Sequence, residues 1–421
     1  MGFQQGLTGL NASSKNLDVI GHNIANSQTV GFKASRTEFA EMVATAIGSA
    51  GGSNAGIGVQ VDAIAQQFTQ GNISITGNNL DVAINGNGFF QVRQPDGSMA
   101  YTRAGNFKLD DKGNVITNSM AQLMGYPVDP LTGQRSASSP VPLVFPTGAP
   151  IPARQTENIV VAMNLDARAP DAAGSAGPPP VPATPRSAYG TSVNVYDSQG
   201  VAVPVSLYFE KTADPNKWAI YTTLDETIQA PGSSTDFLEF DGNGALVSGS
   251  PFTLTVDPAQ VNPNAGPTPP NAPNPFPVTI DLSKATQFGT KFAISDLTQD
   301  GYTAGQLTGI NISPDGTILT RYSNGVSRPE GQIALASFRN TQGLADVGNN
   351  LWVETFSSGQ PVMGTPTDGN FGALRSGALE DSNVDLTGEL VAMMTAQRAY
   401  QANAQTIKTQ DQVMSTLVNL R

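Results

Sequence analysis

From Leu386 an apolar 4-3 spacing runs through Leu390, Met393, Gln397, Tyr400, Ala404, Ile407, Asp411, Met414 and Val418, and eight of these ten positions are apolar. Such a spacing is the seam of a coiled coil, and it commits this end of the chain to a helix. Asn383 or Asp385 can cap its start, where a side-chain oxygen accepts from an orphan backbone N–H, and no proline follows before Arg421. At the other end Phe3, Leu7, Leu10, Leu17 and Ile24 mark a shorter amphipathic helix, completed by Ser14 and Gly21, until Gly31 ends the pattern.

The two helices are unequal. At about 1.5 Å per residue, Phe3 to Asn26 spans about 36 Å and Val384 to Leu420 about 55 Å, so the short helix leaves part of the long seam uncovered. Each buried Leu or Met contributes roughly 1.5–3 kcal/mol, which makes the uncovered part a driving force for packing against neighbouring copies. Leu7, Leu10, Leu17, Ile24, Leu386, Leu390, Met393, Tyr400, Ile407, Met414 and Val418 are therefore the expected contacts between copies. The alternative is an intramolecular helical hairpin packed on a globular core. Along the long helix Asp385, Glu389 and Asp411 balance Arg398, Lys408 and Arg421, so identical helices can lie side by side without accumulating repulsion.

Between the ends the period changes to two. Leu80 to Ile84, Asn85-Gly-Asn-Gly88 and Phe89 to Arg93 read as strand, turn and strand. Turns at Pro95-Asp-Gly97 and Asp111-Lys-Gly113 continue a meander, and similar strand signals return at Gly316 to Arg321 and Gln332 to Phe338. An antiparallel β domain assembled from two separated segments accounts for them. The thirteen prolines of Pro127 to Pro185 and the nine of Pro251 to Pro277 predict extended connections with little regular structure. Between them, Thr191 to Glu210 and Trp218 to Thr223 read as strands with a turn at Asp197-Ser-Gln-Gly200.

With 421 residues the chain exceeds one hydrophobic core. The expected architecture is α+β and mainly β, with the terminal helices forming a coiled-coil-like inner domain from residues 1–30 and 383–421. Extended linkers occupy 31–70 and 361–382, with Gly48 to Gly58 as a flexible connector. A first antiparallel β domain takes 71–145 and 289–360, and a second β domain, the outer one, is inserted into it at 146–288.

Much chemistry is excluded. Without cysteine there is no disulfide, thiolate nucleophile or cysteine-held zinc. His22 is the only histidine and has no clustered carboxylates, and no GxxxxGK[ST] loop is present, so neither cofactor nor metal is expected. The 22 Lys and Arg are scattered singly in a chain of net charge -12, so nucleic acid is not an expected partner. No apolar run is long enough for membrane insertion, and the first residues lack the basic region of a Sec signal peptide. A secreted hydrolase would have to use carboxylates such as Asp110 with Asp111 or Glu380 with Asp381. Adjacent strand residues point to opposite faces and the first pair borders a turn, so solvated turns explain them better and no enzyme is expected. A surface adhesin built on the β domains would leave the apolar seam unexplained.

Several stretches resemble the flagellar axial family of rod and hook proteins. At the N-terminal end they are Leu10-Asn-Ala-Ser-Ser-Lys-Asn-Leu-Asp-Val-Ile-Gly-His-Asn-Ile-Ala-Asn26 and Thr29-Val-Gly-Phe-Lys33. The meander supplies Asn79-Leu-Asp-Val-Ala-Ile-Asn-Gly-Asn-Gly-Phe-Phe90 and Tyr101-Thr-Arg-Ala-Gly-Asn-Phe-Lys-Leu109, and the closing helix Ala378-Leu-Glu-Asp-Ser-Asn-Val-Asp-Leu386 and Gln397-Arg-Ala-Tyr-Gln-Ala-Asn403. The resemblance implies a homopolymer in an exported cell-surface appendage, the hook of the bacterial flagellum, serving motility as a flexible universal joint. It also implies passage through a type III export gate and contacts with a hook cap protein, a distal rod protein and a hook-filament junction protein. The large insert favours a hook subunit over a distal rod-type one. Phe39-Ala-Glu-Met-Val43 resembles the export-gate motif of such subunits, with Phe39 and Val43 as its apolar positions and a buried linker contact as the alternative.

Overall fold

In the computed structural model, residues 2–43, 56–129, 133–145, 150–171, 189–224, 227–229, 237–257 and 274–419 are described. The N-terminal helix α1 spans Gly2–Ala25 and the C-terminal helix α2 spans Leu386–Asn419, as their spacings predict. Asp385 caps α2, its Oδ1 accepting from Thr387 N at 3.1 Å. Asn383 is committed elsewhere: its Oδ1 accepts from Ala34 N at 2.7 Å and its Nδ2 donates to Gln67 O at 2.7 Å.

After α1 come β1 (Ser35–Val43), β2 (Gly56–Gln66), β3 (Ile73–Ile75), β4 (Val82–Asn85), β5 (Phe89–Arg93) and β6 (Met99–Thr102). β1 and β2 pair as an antiparallel ribbon from Ser35 opposite Gln66 to Val43 opposite Gly56, so the stretch read as an extended linker carries its own regular structure. Of the Gly48 to Gly58 connector, residues 48–55 lie outside the described residues, while Gly56 and Gly58 belong to β2.

The sequence predicts that β4 and β5 form a hairpin, and they do not pair. β4 pairs with Ala373–Ser376, whereas β5 pairs with β6, with Gln122–Pro127 and with Leu335–Ser337. Gly86 and Gly88 have φ of 120° and 124°, as turn glycines would. They serve a crossing between strand pairs instead, where a Cβ on Gly86 would stand 2.9 Å from Gly372 Cα.

The chain divides into two compact units. The first comprises Met1–Gly148, Thr308–Arg321 and Ser327–Arg421, and the second comprises Ala149–Leu307 and Tyr322–Val326. In the first, one sheet runs through Ser327–Ile333, Gln122–Pro127, β5, β6, Leu351–Val353 and Ala345–Gly348, so three early strands are flanked on both sides by late ones. On it Phe89, Tyr101, Ala336, Phe338 and Trp352 form a buried cluster, with Tyr101 and Phe338 edge to face at 4.7 Å.

The second unit has two sheets around one core. Asn158–Asp166 and Ala202–Lys211 each alternate buried and partly exposed positions, sending Ile159, Val161, Met163 and Leu165 from one and Val203, Val205, Leu207 and Phe209 from the other into the same cluster. Asn158–Asp166 lies within the proline-rich stretch that predicted little regular structure, but its prolines flank the strand and leave its backbone donors intact. Residues 172–188 and 258–273, from the two proline-rich stretches, lie outside the described residues. Ala293–Gln299 pairs antiparallel with Asn158–Asp166, which carries this unit past residue 288.

Candidate assembly surface

α1 and α2 pack antiparallel through small residues. A Cβ on Gly6 would stand 3.0 Å from Ile407 Cγ1, and one on Gly9 would stand 2.9 Å from Asn403 Nδ2. Ala12 and Ala396 are buried. Asn403 Nδ2 lies 3.4 Å from Ser13 Oγ, and at the far end of α1 Asn23 Nδ2 donates to Glu389 Oε1 at 2.9 Å. With Gly6 opposite Ile407, α1 has only about one turn left, while α2 continues to Asn419.

Leu7, Leu386, Leu390, Tyr400 and Met414 are exposed, whereas Leu10, Leu17, Ile24, Met393 and Ile407 are partly buried. The side chain of Val418 lies outside the described residues. Ile407 is brought against α1, but the line that α2 otherwise presents to it is Glu389, Ala396 and Asn403, seven residues apart. A search for apolar spacing passes over that line because close contact selects small and amide side chains. Val391, Met394 and Val413 are also exposed and extend the apolar surface of α2. A cleft of 530 Å³ among α1, α2 and the ribbon is lined by Gly9, Ala12, Phe39, Val59, Ala396 and Ala399. Phe39 is 48% exposed on β1, and the side chain of Val43 lies outside the described residues.

Beside the helices lies a buried ionic cluster. Lys33 Nζ is 2.6 Å from Glu380 Oε1 and Arg103 Nη1 is 3.1 Å from Glu380 Oε2, with all three side chains no more than 5% exposed. Lys33 also donates to Thr69 O, Arg103 to Gly86 O, and Gly71 N to Glu380 Oε1. Burial pushes the Lys33 and Arg103 pKa values down, and the Glu380 carboxylate works against that in each case. Gly31, at φ 70°, donates its N–H to Glu380 O at 2.8 Å, and a Cβ there would stand 2.5 Å from Ala104 N. The cluster thus fastens the segments around 31–34, 67–71 and 380–383 to the β body. Sequence reasoning did not single it out, although isolated charges in a chain with only 13% charged residues are the available signal.

Three of the four carboxylates weighed as catalytic, Asp110, Glu380 and Asp381, have structural partners. Asp110 accepts from Lys112 N, Asn114 N and Asn114 Nδ2, and the last of these bonds leads in holding its carboxyl below the usual range. Glu380 is the centre of the buried cluster, and Asp381 accepts from Ser74 Oγ at 2.9 Å. His22 packs against Phe32 with ring centroids 5.4 Å apart. Among the described residues no three His, Asp or Glu side chains are grouped to hold a metal, and no helix is long and apolar enough to cross a membrane.

Known proteins match this chain from end to end. Family models match residues 3–33 (flagella basal body rod protein), 83–165 (flagellar hook protein FlgE/F/G D1 domain), 164–302 (flagellar basal body protein FlaE D2 domain) and 375–420 (flagellar basal body rod FlgEFG protein C-terminal). The flagellar hook protein FlgE of Salmonella typhimurium is 42% identical over 427 residues, and that of Escherichia coli K12 is 43% identical over 438 residues, each alignment covering 100% of both chains. The crystal structure of Helicobacter pylori flagellar hook protein FlgE2 shares the fold, with a TM-score of 0.53 at 14% identity over 73% of this chain and 100% of that one. With its helical ends, its paired β units and its full-length matches, the chain belongs to the flagellar hook protein FlgE family, a family of structural proteins rather than enzymes.

Proposed function

We propose that the chain is the structural subunit of a flagellar hook, polymerising into a curved, flexible tube that passes motor torque to the filament as a universal joint. The observation that carries this reading is the apolar surface left on α2: Leu386, Leu390, Val391, Met394, Val413 and Met414 are each 46% exposed or more, Leu390, Val391 and Met394 lying beside α1 but off the Glu389, Ala396 and Asn403 line that meets it, and Val413 and Met414 lying beyond Ile407, where α1 is nearly at its end. In the tube, α1 and α2 form the inner layer and these residues pack against helices of neighbouring copies, with Leu10, Leu17, Ile24, Met393, Tyr400 and Ile407 completing the contact. The two β units lie outside that layer, and the large second unit supports a hook rather than a distal-rod placement. Replacing Met414 by Asp tests the seam. The carboxylate is hydrated in the free subunit, so thermal unfolding stays unchanged, whereas in the tube an unpaired buried charge costs several kcal/mol in every copy and assembly fails. Normal tubes from Met414→Asp refute the assignment.

The subunit leaves the cell through the type III export gate, assembles beneath a hook cap protein, and meets a distal rod protein at one end of the tube and a hook-filament junction protein at the other. Exposure of Phe39 on β1 supports a role for Phe39 and Val43 at the gate. Phe39→Ser should lower secretion while purified subunits still assemble, and unchanged secretion would place Phe39 in the subunit contact instead.

A further inference from the structure

We infer that Asn87 is a site of self-modification, at which the main-chain nitrogen of Gly88 attacks the Asn87 side-chain amide and the residue becomes aspartate or isoaspartate without any enzyme. The chain holds four Asn-Gly pairs, at 85–86, 87–88, 243–244 and 324–325. Glycine leaves the nitrogen that follows each asparagine without the shield of a side chain, so all four pairs can react in an unfolded chain. The fold protects three of them.

Attack needs a glycine N–H that is not already donating and an amide that is not already held. Gly86 N donates to Gln70 Oε1 at 3.0 Å, Gly244 N to Asp241 O at 3.1 Å and Gly325 N to Tyr322 O at 3.0 Å. The amides before them are tied as well: Asn85 Oδ1 accepts from Gln70 Nε2 at 3.4 Å, Asn243 Nδ2 donates to Asp241 Oδ2 at 3.5 Å, and Asn324 Nδ2 donates to Thr303 O at 2.6 Å. Among the described residues neither Gly88 N nor the Asn87 side chain has a hydrogen-bond partner, and Asn87 is exposed. Gly88, at φ 124°, lies in the crossing from β4 to β5, two strands that do not pair with each other, so no ladder bond claims its nitrogen.

Water is the one co-reactant. A bond forms between Gly88 N and Asn87 Cγ, the Cγ–Nδ2 bond breaks, and Nδ2 leaves as ammonia with the proton that Gly88 N gives up. Water then opens the five-membered imide, at the side-chain carbonyl to give aspartate or at the main-chain carbonyl to give isoaspartate. In isoaspartate the former main-chain carbonyl of Asn87 becomes a free carboxylate, and the chain runs on through Cγ, longer by one carbon. That carbonyl oxygen is the acceptor of Gly372 N at 2.8 Å, and Phe89 of the buried aromatic cluster stands two residues further on. The isoaspartate form therefore loosens the crossing where Gly372 meets the first β body. The reaction needs no second copy.

The full chain is incubated at mildly alkaline pH, folded in one sample and in concentrated urea in another, and peptides covering the four pairs are followed by mass spectrometry for the replacement of amide by carboxylate. In the folded chain Asn87 should convert about three- to tenfold faster than each of the other three, the factor imposed by the hydrogen bond that those must first break. In urea the four should convert at similar rates. Endoproteinase Asp-N separates the products, since it cuts before aspartate and not before isoaspartate. Hydrogen exchange at Gly372 N should speed up in the isoaspartate fraction, whereas Asn87→Gln, whose longer side chain must close a six-membered ring, should stay unmodified and keep that exchange at its starting rate. A folded chain in which another pair leads, in which Asn87 reacts no faster than the other three, or in which Asn87 stays intact while the urea sample converts, overturns the inference.

Discussion

Lys33, Arg103 and Glu380 take two cations and one carboxylate out of water, so their value depends on all three being present. Glu380→Gln strands two buried cations and should cost about 3–5 kcal/mol, read as a lower urea midpoint for the first unit, while replacing all three by apolar residues of similar size should recover most of the loss. Asp300 works in the opposite sense to a buried liability. Burial pushes its carboxyl up, but the amides of Asn158 and Glu157, with Arg154 at 3.4 Å, outweigh that and leave its pKa below the ordinary value. Its contribution is therefore full above the unfolded value of about 3.9 and is lost as pH falls through the lower folded value. Urea titrations across pH should show the wild type separated from Asp300→Asn above about pH 4 and converging below it. None of these roles was legible in the sequence, because a lone Lys, Arg or Glu carries no periodicity and its partner stands far away in the chain.

The two helices were legible because the 3.6-residue spacing is a local property, and the cap at Asp385 because its chemistry is local too. Which face of α2 meets α1 was not, since Gly6, Gly9, Ala12, Ala396 and Asn403 give no hydrophobic signal. A bulky residue at Gly9 tests that contact: Gly9→Val forces Asn403 aside and should strip hydrogen-exchange protection from α2 while the β sheet keeps its own. Retained protection in α2 would show that the helices are held by the flanking apolar residues instead. Among strands, alternation revealed where Ala202–Lys211 and β5 lie, yet the glycines around Asn87 disclosed only a positive φ and not which strand follows as partner. Turn chemistry fixes a backbone angle; pairing is settled by packing elsewhere in the sheet.

For the whole molecule, the seam residues all belong to the first unit, and the second is built from Ala149–Leu307 with Tyr322–Val326. Excising 149–307 should therefore leave subunits that still form tubes in electron micrographs, with changed curvature, and complete absence of tubes would place that unit within the essential contact. Of the overall plan, the helical ends and the late return to the first β body were readable, whereas the return boundary depended on Ala293–Gln299 finding a partner far earlier in the chain, as Ala293 does with Asn164, 129 residues before it. Distance along the chain has a consequence for completeness as well. Lys33 and Glu380 are 347 residues apart, so a chain that stops short of residue 380 cannot make that pair and leaves Lys33 and Arg103 without their shared carboxylate. Completing the junction therefore requires nearly the whole chain, and a prematurely stopped one is left without it.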